Sequence, residues 1–362
     1  MRIFRLTAVT AMLSIILIIS SACQPGMKRY TDTILGAFDT VITVIAYCES
    51  DQAFEKLSGH AETRFIELHQ LFDRYNQYDG VVNIHTLNAH AGQGPLKVDP
   101  ELIRLLEQAG EWYRQSPGTT NIAFGSVLEL WHDARTEGLT NPAAARLPEM
   151  AALTEAARHT DMDQLLIDKA AGTVELADGQ MRLDLGAVAK GYATELVAQE
   201  LTTLGYQHFI ISSGGNVRTA GNPQDGKRSV WSIGIQNPDA ADDGEELLDT
   251  AYLTDLSVVT SGDYQRYYTV DGQRYHHIID PATLKPGVHH RAVTVITRDS
   301  GFADFLSTTL FLLPYADGRN YIDQLPGTEA LWVLADGSLQ YTDGVKNWFK
   351  TIGGATNPSP VP

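Results

Sequence analysis

The stretch at residues 183–194, LDLGAVAKGYAT, most constrains what this chain can fold into. Its pattern predicts the end of a buried strand at 183–185, a tight turn at Gly186, and an amphipathic helix directly after it. The free N–H groups at such a helix start, the positive end of the helix dipole, and Lys190 one turn in suit a phosphate-bearing ligand. Asp184 can accept hydrogen bonds from a polar ligand ring. Turns of this kind occur in many folds, so the assignment depends on motifs further along the chain.

The composition indicates a globular protein with a substantial core and excludes one class of partner. A chain of 362 residues with 43% hydrophobic content forms one large domain or two closely joined domains. Its formal net charge is −17, with 27 basic against 44 acidic residues, whereas nucleic-acid binders need a basic face. We therefore expect no nucleic-acid partner. An anionic substrate needs local positive groups, which a metal ion and helix N-termini can supply.

The N-terminus has the layout of a bacterial lipoprotein signal. Two arginines at positions 2 and 5 precede an apolar run at 12–19, which is too short to span a bilayer comfortably. Small residues at 20–22 then lead to Cys23. We expect residues 1–23 to form the signal and Cys23 to become the lipidated first residue, which anchors the mature protein to the extracytoplasmic face of the cell membrane. An uncleaved anchor and plain secretion are the alternatives.

The rest of the chain predicts an α+β fold with mixed sheets and packed helices. We expect residues 24–35 to form a tether, 36–350 a single large unit of two closely joined subdomains, and 351–362 a frayed tail. Strand and helix patterns come in mixed order without regular alternation, which favours α+β over α/β.

Periodicity and turn residues predict the individual elements. The chain has strand patterns at 41–47, 165–168, 173–176, 181–183, 209–212, 256–260 and 292–297, and hairpins around Asp271-Gly272 and Asp336-Gly337. It has helix patterns at 51–74, 100–115, 188–204 and 302–313, and the alanine-rich segment 139–158 is expected to be helical after Pro142. Residues 238–249 are acidic and are expected to form an exposed loop.

Five motifs occur in a fixed order along the chain: 183–194, 212–218, 260–264, 275–283 and 300–312. Together they resemble the ApbE family of FAD:protein FMN transferases, and the resemblance covers nearly the whole mature chain. It implies an ApbE-like fold, FAD as the substrate and Mg²⁺ as the cofactor. It also implies that FAD is split at its pyrophosphate, that FMN is esterified to a threonine or serine of an acceptor flavoprotein, and that AMP leaves.

Asp304 and Thr308 are the candidate metal ligands. They stand four residues apart on a predicted helix and therefore share one face, where their hard oxygens suit Mg²⁺. A surface carboxylate is the plain alternative for Asp304, but its neighbours along the helix are apolar. The resemblance adds the backbone carbonyl of Ala187 as a further ligand. Phosphoryl transfer needs such charge neutralisation at the pyrophosphate.

His277 is the candidate general base. It follows His276 in a predicted strand, and period-two alternation places the two rings on opposite sheet faces. A structural strand histidine is the plain alternative. The Ile-Ile-Asp-Pro that follows matches the family pattern, so the resemblance makes His277 the group that takes the acceptor's proton, while Asp280 braces the turn at Pro281. The chain departs from the family at Leu284, where a glycine is usual.

The resemblance also assigns residues to the FAD site. The matched positions are Phe38, Tyr75, Thr119, Thr120, Asn121, Asp184 and Lys190. For Phe38 and Tyr75 the alternative is a core aromatic at a strand start and at a helix end. Asn121 replaces an aspartate that is common in the family, which bears on adenine or ribose contacts. The turn at 213–216, Ser-Gly-Gly-Asn, either approaches the ligand or simply ends a strand, and we favour a supporting role.

Three functions fit these residues. The first is a Mg²⁺-dependent flavin transferase, and the second is an FAD pyrophosphatase that passes FMN to water. The third is a flavin-binding lipoprotein that stores or delivers FAD without catalysis. The intact set of Asp304, Thr308 and His277 argues against the third function, whereas the first two differ only in the acceptor.

Overall fold

The computed structural model describes residues 26–240 and 246–356 of the chain. Its strands are β1 (Lys28–Ala37), β2 (Thr40–Cys48), β3 (Leu96–Lys97), β4 (Leu165–Asp168), β5 (Thr173–Leu176), β6 (Phe209–Ser213), β7 (Asn216–Ala220), β8 (Trp231–Gln236), β9 (Leu247–Leu253), β10 (Ser257–Gly262), β11 (Tyr267–Val270), β12 (Gln273–His276), β13 (Ile279–Asp280), β14 (Lys285–Pro286), β15 (His290–Thr297), β16 (Glu329–Leu334) and β17 (Leu339–Tyr341). Its α-helices are α1 (Asp51–Phe72), α2 (Ile84–Ala89), α3 (Pro100–Arg114), α4 (Gly125–Thr140), α5 (Met150–Ala156), α6 (Ala189–Thr203), α7 (Ser300–Leu312), α8 (Tyr315–Ile322) and α9 (Lys350–Gly353).

The fold is organised around an eight-stranded sheet. Its order is β1-β2-β6-β7-β10-β15-β16-β17, and each neighbouring pair is antiparallel. Alternate residues of the central strands face opposite sides, so Ile211 and Val259 join the main core whereas Ile210 and Val258 join a second core. Helices α1, α6 and α7 contribute to the main core, and the β8–β9 hairpin contributes to the second. Both faces of the sheet are therefore covered, as expected for an α+β protein.

A third apolar cluster joins α4 to the β11–β12 hairpin. Trp131 and Tyr268 are buried in it, and the Trp131 indole donates a hydrogen bond to the carbonyl of Leu284 at 3.0 Å. Leu284 has a φ of +58°, a left-handed conformation that glycine adopts more easily. The departure from the family's glycine therefore keeps the turn and adds an apolar side chain to this cluster.

Several predicted elements are confirmed. The β11–β12 hairpin turns at Asp271 and Gly272, which have φ of 50° and 80°, as a two-residue hairpin loop requires. Helix α3 begins at Pro100, and the carboxylate of Asp99 accepts a hydrogen bond from the N–H of Glu101. Helix α6 ends just before Gly205, whose φ is 96°.

The predicted tether and tail are wrong in part. Residues 28–37 form β1, which pairs with β2 from Lys28 opposite Cys48 to Ala37 opposite Thr40. Most β1 side chains are exposed, so the strand lacks an apolar alternation and the pairing is carried by the backbone. At the other end, residues 351–353 belong to α9, because the buried carboxylate of Asp249 accepts hydrogen bonds from the N–H groups of Thr351 and Ile352.

Three further segments differ from prediction. Residues 181–183 form only an isolated bridge, since their polar groups bond the loop at 122–125 and the side chain of Asn88 instead of a neighbouring strand. The 139–158 segment is helical in separate pieces, because prolines at 142 and 148 interrupt it: α4 ends at Thr140, Met150–Ala156 form an α-helix, and short 3₁₀ helices lie at Pro142–Ala144 and Ala157–His159. Within 238–249, residues 247–249 belong to β9.

The predicted signal at 1–23 and its Cys23 lie outside the described residues. No helix within 26–240 or 246–356 is long and apolar enough to cross a membrane.

Candidate active site

A cavity of about 660 Å³ opens at the ends of β6, β7 and β10, where they meet the start of α6, the middle of α7 and the segment after β12. Its size is within the range of small-molecule sites. The predicted site residues that line this cavity are Tyr75, Thr119, Thr120, Asn121, Asp184, Ala187, Lys190, His277, Asp304 and Thr308. Positions separated by more than 230 residues in sequence are thus brought to one space.

Phe38 is the predicted site residue that does not line the cavity. Its ring packs edge-on against Phe65 at 6.5 Å and against His69 at 5.6 Å, and its N–H donates to His69 Nδ1 at 3.2 Å. The residues that follow it, Asp39 and Thr40, do line the cavity. The core-aromatic interpretation fits Phe38 better than a direct ligand contact, and the residue shapes the turn that carries its neighbours.

Asp184 is held by protein donors on both carboxylate oxygens. Arg74 Nη1 lies 2.5 Å from Oδ2, and the N–H of Gly186 donates to Oδ1 at 2.7 Å. Burial alone would raise the pKa of Asp184, but the charge of Arg74 and the Gly186 hydrogen bond outweigh it, and the net pKa is lowered. Asp184 is therefore ionised and serves first to hold the turn before α6.

The start of α6 is less open than the sequence predicted. The N–H of Ala189 donates to the Leu185 carbonyl, and the N–H of Gly191 donates to Asp304 Oδ2 at 2.8 Å. Two N–H groups expected to face a ligand are therefore occupied. Lys190 extends over the same turn, with Nζ 3.2 Å from the Gly186 carbonyl oxygen, and it lines the cavity. The cationic side chain, more than the helix end, provides positive charge here.

Helices α6 and α7 meet at Gly191. A Cβ at this position would overlap the carbonyl oxygen of Ser300 and the Cβ of Asp304, so only glycine permits the contact. The contact brings the Gly191 N–H to one oxygen of Asp304, whose side chain is 4% exposed. The other oxygen, Oδ1, has no hydrogen-bond partner among the described residues. Burial of a half-bonded carboxylate on a cavity wall indicates a ligand-binding role.

The residues at this point fit a magnesium ion. Thr308 lies one turn after Asp304 on α7, its Oγ1 is 3.3 Å from Ser261 Oγ, and Ala187 lines the same wall. The described residues contain no group of three or more histidine, cysteine or acidic side chains that could hold a metal. Mg²⁺ suits such a sparse set, because it is commonly held by one or two carboxylates together with substrate phosphates and water.

His277 follows the end of β12, and its N–H donates to the Arg266 carbonyl at 3.0 Å. Enclosure within the cavity lowers the pKa of His277 to about 3, and the charges of Arg266, Arg135 and Lys190 contribute to the shift. The ring is exposed to solvent inside the open cavity, and the solvent screens these charges, but the pKa of His277 stays below the ordinary value of an imidazole. His277 is neutral near pH 7 and is able to accept a proton.

His276 lines the same cavity, and because β12 ends at this residue the predicted period-two alternation does not extend to His277. Its Nε2 donates to the Gly287 carbonyl at 2.8 Å, while Nδ1 accepts from the N–H of Ile278 at 3.3 Å. Burial lowers the pKa of His276, so the ring is neutral with a defined tautomer. His276 therefore braces the backbone at Ile278 and Gly287, both of which follow His277 in the chain. The strand predicted to carry both histidines ends at His276, and the next strand, β13, begins at Ile279.

The loop at 119–121 is fastened to α7 and to the turn after α5. Thr309 Oγ1 donates to Thr120 Oγ1 at 2.8 Å. Both ends of the Asn121 amide are used, since Nδ2 donates to the Thr160 carbonyl at 2.8 Å and Oδ1 accepts from the N–H of Ala123 at 2.7 Å. Asn121 therefore shapes the loop. At the cavity mouth, the Tyr75 ring lies 4.8 Å from that of His132 and is 47% exposed.

Sequence reasoning missed two cations on the cavity wall, Arg135 and Arg266. Neither these arginines nor Lys190 forms an ion pair with a carboxylate among the described residues. Burial and the charge of Arg266 lower the pKa of Arg135. In a chain of net charge −17, three unpaired cations around one cavity favour an anionic ligand. The available sequence signal was the spacing of Arg135 four residues after Trp131, which places both side chains on one face of a helix.

Comparison with known proteins decides the family. The family model described as "ApbE family" matches residues 38–332. The chain belongs to the ApbE family. A relative from Treponema pallidum, named FAD:protein FMN transferase, is 34% identical over 271 residues, covering 72% of each chain. Another of the same name from Klebsiella pneumoniae is 32% identical over 283 residues, covering 77% of this chain and 84% of the relative.

Solved ApbE structures share the fold. The ApbE protein of Thermotoga maritima has a TM-score of 0.76 and 29% identity, covering 88% of this chain and 98% of that one. The flavinyl transferase ApbE of Pseudomonas stutzeri, in its apo form, has a TM-score of 0.73 and 26% identity, covering 91% and 99%. The predicted family and α+β class are therefore confirmed, and these relatives are named for the enzyme class that the sequence predicted.

Proposed function

We propose that this chain is a transferase that moves FMN from FAD to a threonine or serine hydroxyl of an acceptor flavoprotein, with Mg²⁺, and releases AMP. One observation carries the proposal: a single cavity joins the Asp304–Thr308 oxygen pair, three unpaired cations and the neutral His277. The names of the ApbE relatives support flavin transfer in general. The metal, the hydroxyl acceptor and the AMP product are the finer parts of the proposal.

The proposed reaction exchanges one P–O bond for another. The acceptor's hydroxyl oxygen attacks the phosphorus on the FMN side of the pyrophosphate, the bridging P–O bond breaks, and AMP leaves with the bridging oxygen. His277 Nδ1 or Nε2 takes the hydroxyl proton. Asp304, Thr308 and the Ala187 carbonyl would hold Mg²⁺, which when bound neutralises negative charge on the pyrophosphate.

The cations around His277 give its basicity a dependence on substrate. In the empty cavity Arg266, Arg135 and Lys190 disfavour a protonated imidazole. A pyrophosphate carries negative charge into the same space and offsets those cations, so we expect the pKa of His277 to rise when FAD binds. The ring would then become a stronger base at the moment the hydroxyl has to lose its proton.

FAD hydrolysis is the second candidate, and the exposure of His277 favours it. Because the ring is accessible to solvent through the cavity mouth, water can occupy the place of the acceptor hydroxyl. The two reactions share the attack and the leaving group. Non-catalytic storage of FAD explains neither the half-bonded Asp304 nor the neutral His277.

We also place the mature protein on the extracytoplasmic face of the bacterial membrane, anchored by lipid on Cys23. Small residues before Cys23 and the short apolar run support this location. The acceptor would then be a flavoprotein with its target hydroxyl on the same side of the membrane.

The test is incubation of the purified chain with FAD, Mg²⁺ and a candidate acceptor, followed by mass measurement of the acceptor and quantification of AMP. Transfer predicts AMP release matched by an acceptor that gains FMN less one water. AMP released together with free FMN, and no labelled acceptor, would establish hydrolysis instead. Absence of FAD turnover with Mg²⁺ present would reject both reactions. Chelation of the metal and the His277→Ala variant serve as controls.

A further inference from the structure

Asn216 is the first residue of β7 and differs from other buried asparagines of this fold. Its side chain is 2% exposed, and neither amide atom has a hydrogen-bond partner among the described residues, Nδ2 being fully enclosed. By contrast, the buried amide of Asn83 donates to the carbonyls of Gln70 and Asn76 and accepts from the N–H of Thr86. A buried amide without a hydrogen-bond partner is unfavourable, so its retention calls for a partner outside the protein.

The register of the sheet fixes the direction in which Asn216 points. It lies opposite Ser213 on β6 and opposite Val259 on β10, and directly opposed residues share a sheet face. Ser213 Oγ bonds Thr194 Oγ1 of α6 at 2.9 Å, and Val259 packs in the core beneath α7. Asn216 therefore faces α6 and α7, the two helices that meet at Asp304.

The same sheet face carries a layer of polar side chains at the cavity. Two residues beyond Val259, Ser261 bonds Ser307 at 2.8 Å and approaches Thr308, and Ser307 donates to the Asp304 carbonyl at 2.9 Å. Every other hydroxyl of this layer has a protein partner. Asn216 also lines the cavity, and its amide has no protein partner among the described residues, so this amide is available to bind a ligand.

We infer that Asn216 binds the substrate directly, through a hydrogen bond from its amide to a phosphate oxygen of the nucleotide. The inference rests on the proposed function, since it uses the phosphates that Asp304 and Lys190 would share. Rotation about χ2 exchanges the two amide atoms and turns the N–H₂ toward the cavity. A neutral donor is suited to this place, because it adds a charge-assisted bond to the phosphate without competing with the nearby cations.

The direct test compares Asn216→Leu with the unaltered chain in titrations without metal. FAD and ADP carry the phosphates, whereas riboflavin carries the flavin ring alone. The affinity for FAD and for ADP should fall about 10- to 100-fold, and the affinity for riboflavin should not change. An equal loss for riboflavin would mean that the amide contacts the ring, and unchanged affinities would mean that it contacts no ligand. Either result overturns the inference.

Thermal unfolding separates binding from a structural role. Leucine has the same branched skeleton of side-chain heavy atoms as asparagine and removes an unsatisfied polar group, so the ligand-free Asn216→Leu chain should melt at the same temperature or higher. The matched control is Asn83→Leu, which breaks several buried hydrogen bonds and should melt several degrees lower. If Asn216→Leu melts as low as the Asn83 variant, Asn216 is structural and the inference is wrong.

Asn216→Asp distinguishes a phosphate contact from a metal contact. A carboxylate repels phosphate, so the Asn216→Asp chain should bind ADP more weakly than the Asn216→Leu chain does. Its Mn²⁺ binding without nucleotide should equal that of the unaltered chain. Tighter Mn²⁺ binding would assign the side chain to the metal and overturn the phosphate contact. Failure of the unaltered chain to bind FAD or ADP would reject the proposed function itself, together with this site.

Discussion

Gly191→Ala tests whether the contact between α6 and α7 builds the site. The added methyl group would lie well inside 3.0 Å of both the Ser300 carbonyl oxygen and the Asp304 Cβ, and these atoms belong to a helix packed in the core. Overpacking of this kind costs about 1–3 kcal/mol. Displacement of α7 also breaks the hydrogen bond from the Gly191 N–H to the Asp304 carboxylate, which is worth about 1.5–3 kcal/mol.

The combined loss in the free energy of unfolding is therefore about 2.5–6 kcal/mol, or roughly 3–8 °C in melting temperature for a chain of this size. Calorimetry measures the melting temperature, and Mn²⁺ titration of the folded variant measures the site. We expect a lower melting temperature and weaker Mn²⁺ binding, because the added methyl group overlaps Asp304, the residue that would hold the metal.

The control substitutes another helical glycine. A Cβ at Gly59 in α1 meets nothing within 4 Å, so Gly59→Ala should raise stability by about 0.5–1 kcal/mol through helix propensity alone. If Gly191→Ala melts like the Gly59 variant and binds Mn²⁺ normally, the close approach of the two helices is not what positions Asp304, and the reasoning fails.

Four further outcomes are expected. His277→Ala should slow transfer by about 10²–10⁴ while FAD binding is kept, and a loss of FAD binding in proportion to activity would make the residue a binding group instead. Asp304→Ala should leave flavin transfer near background at saturating Mg²⁺ with the protein still folded by circular dichroism; activity like that of the unaltered chain would place the metal elsewhere. The lowered pKa of Asp184 makes its ion pair with Arg74 stabilising above the unfolded-state pKa of about 3.9, and this stability is lost as the pH falls toward the lower folded value. Asp184→Asn should therefore flatten the fall in unfolding free energy between about pH 5 and 3, and an unchanged slope would contradict the assignment. Cys23→Ala should release the protein from membranes and abolish incorporation of labelled fatty acid, and undiminished labelling would exclude Cys23 as the lipidation site.

The sequence was sufficient where a residue's role follows from local spacing. The four-residue separation of Asp304 and Thr308 placed both on one face of α7, and Asp271-Gly272 specified the hairpin before His277.

Features that depend on distant contacts were not predictable in this way. Arg135 and Arg266 meet at the cavity only because Trp131 and Tyr268 bury α4 against the β11–β12 hairpin. The hydrogen bond from Gly191 to Asp304 uses a backbone group that carries no sequence signal. Phe38 was assigned by position in a motif, whereas its ring direction follows from packing on α1.

If Cys23 carries the proposed lipid, the early start of β1 limits how far the enzyme could reach from a membrane. With the expected tether at 24–35, a lipid on Cys23 would have left about 40 Å of extended chain before the fold. Because Lys28 already pairs with Cys48, only five residue steps separate the lipidated position from the sheet, at most about 18 Å. So short a linker lets the domain change its orientation but not its distance from the membrane surface. Acceptors would therefore have to present their hydroxyl close to the lipid headgroups.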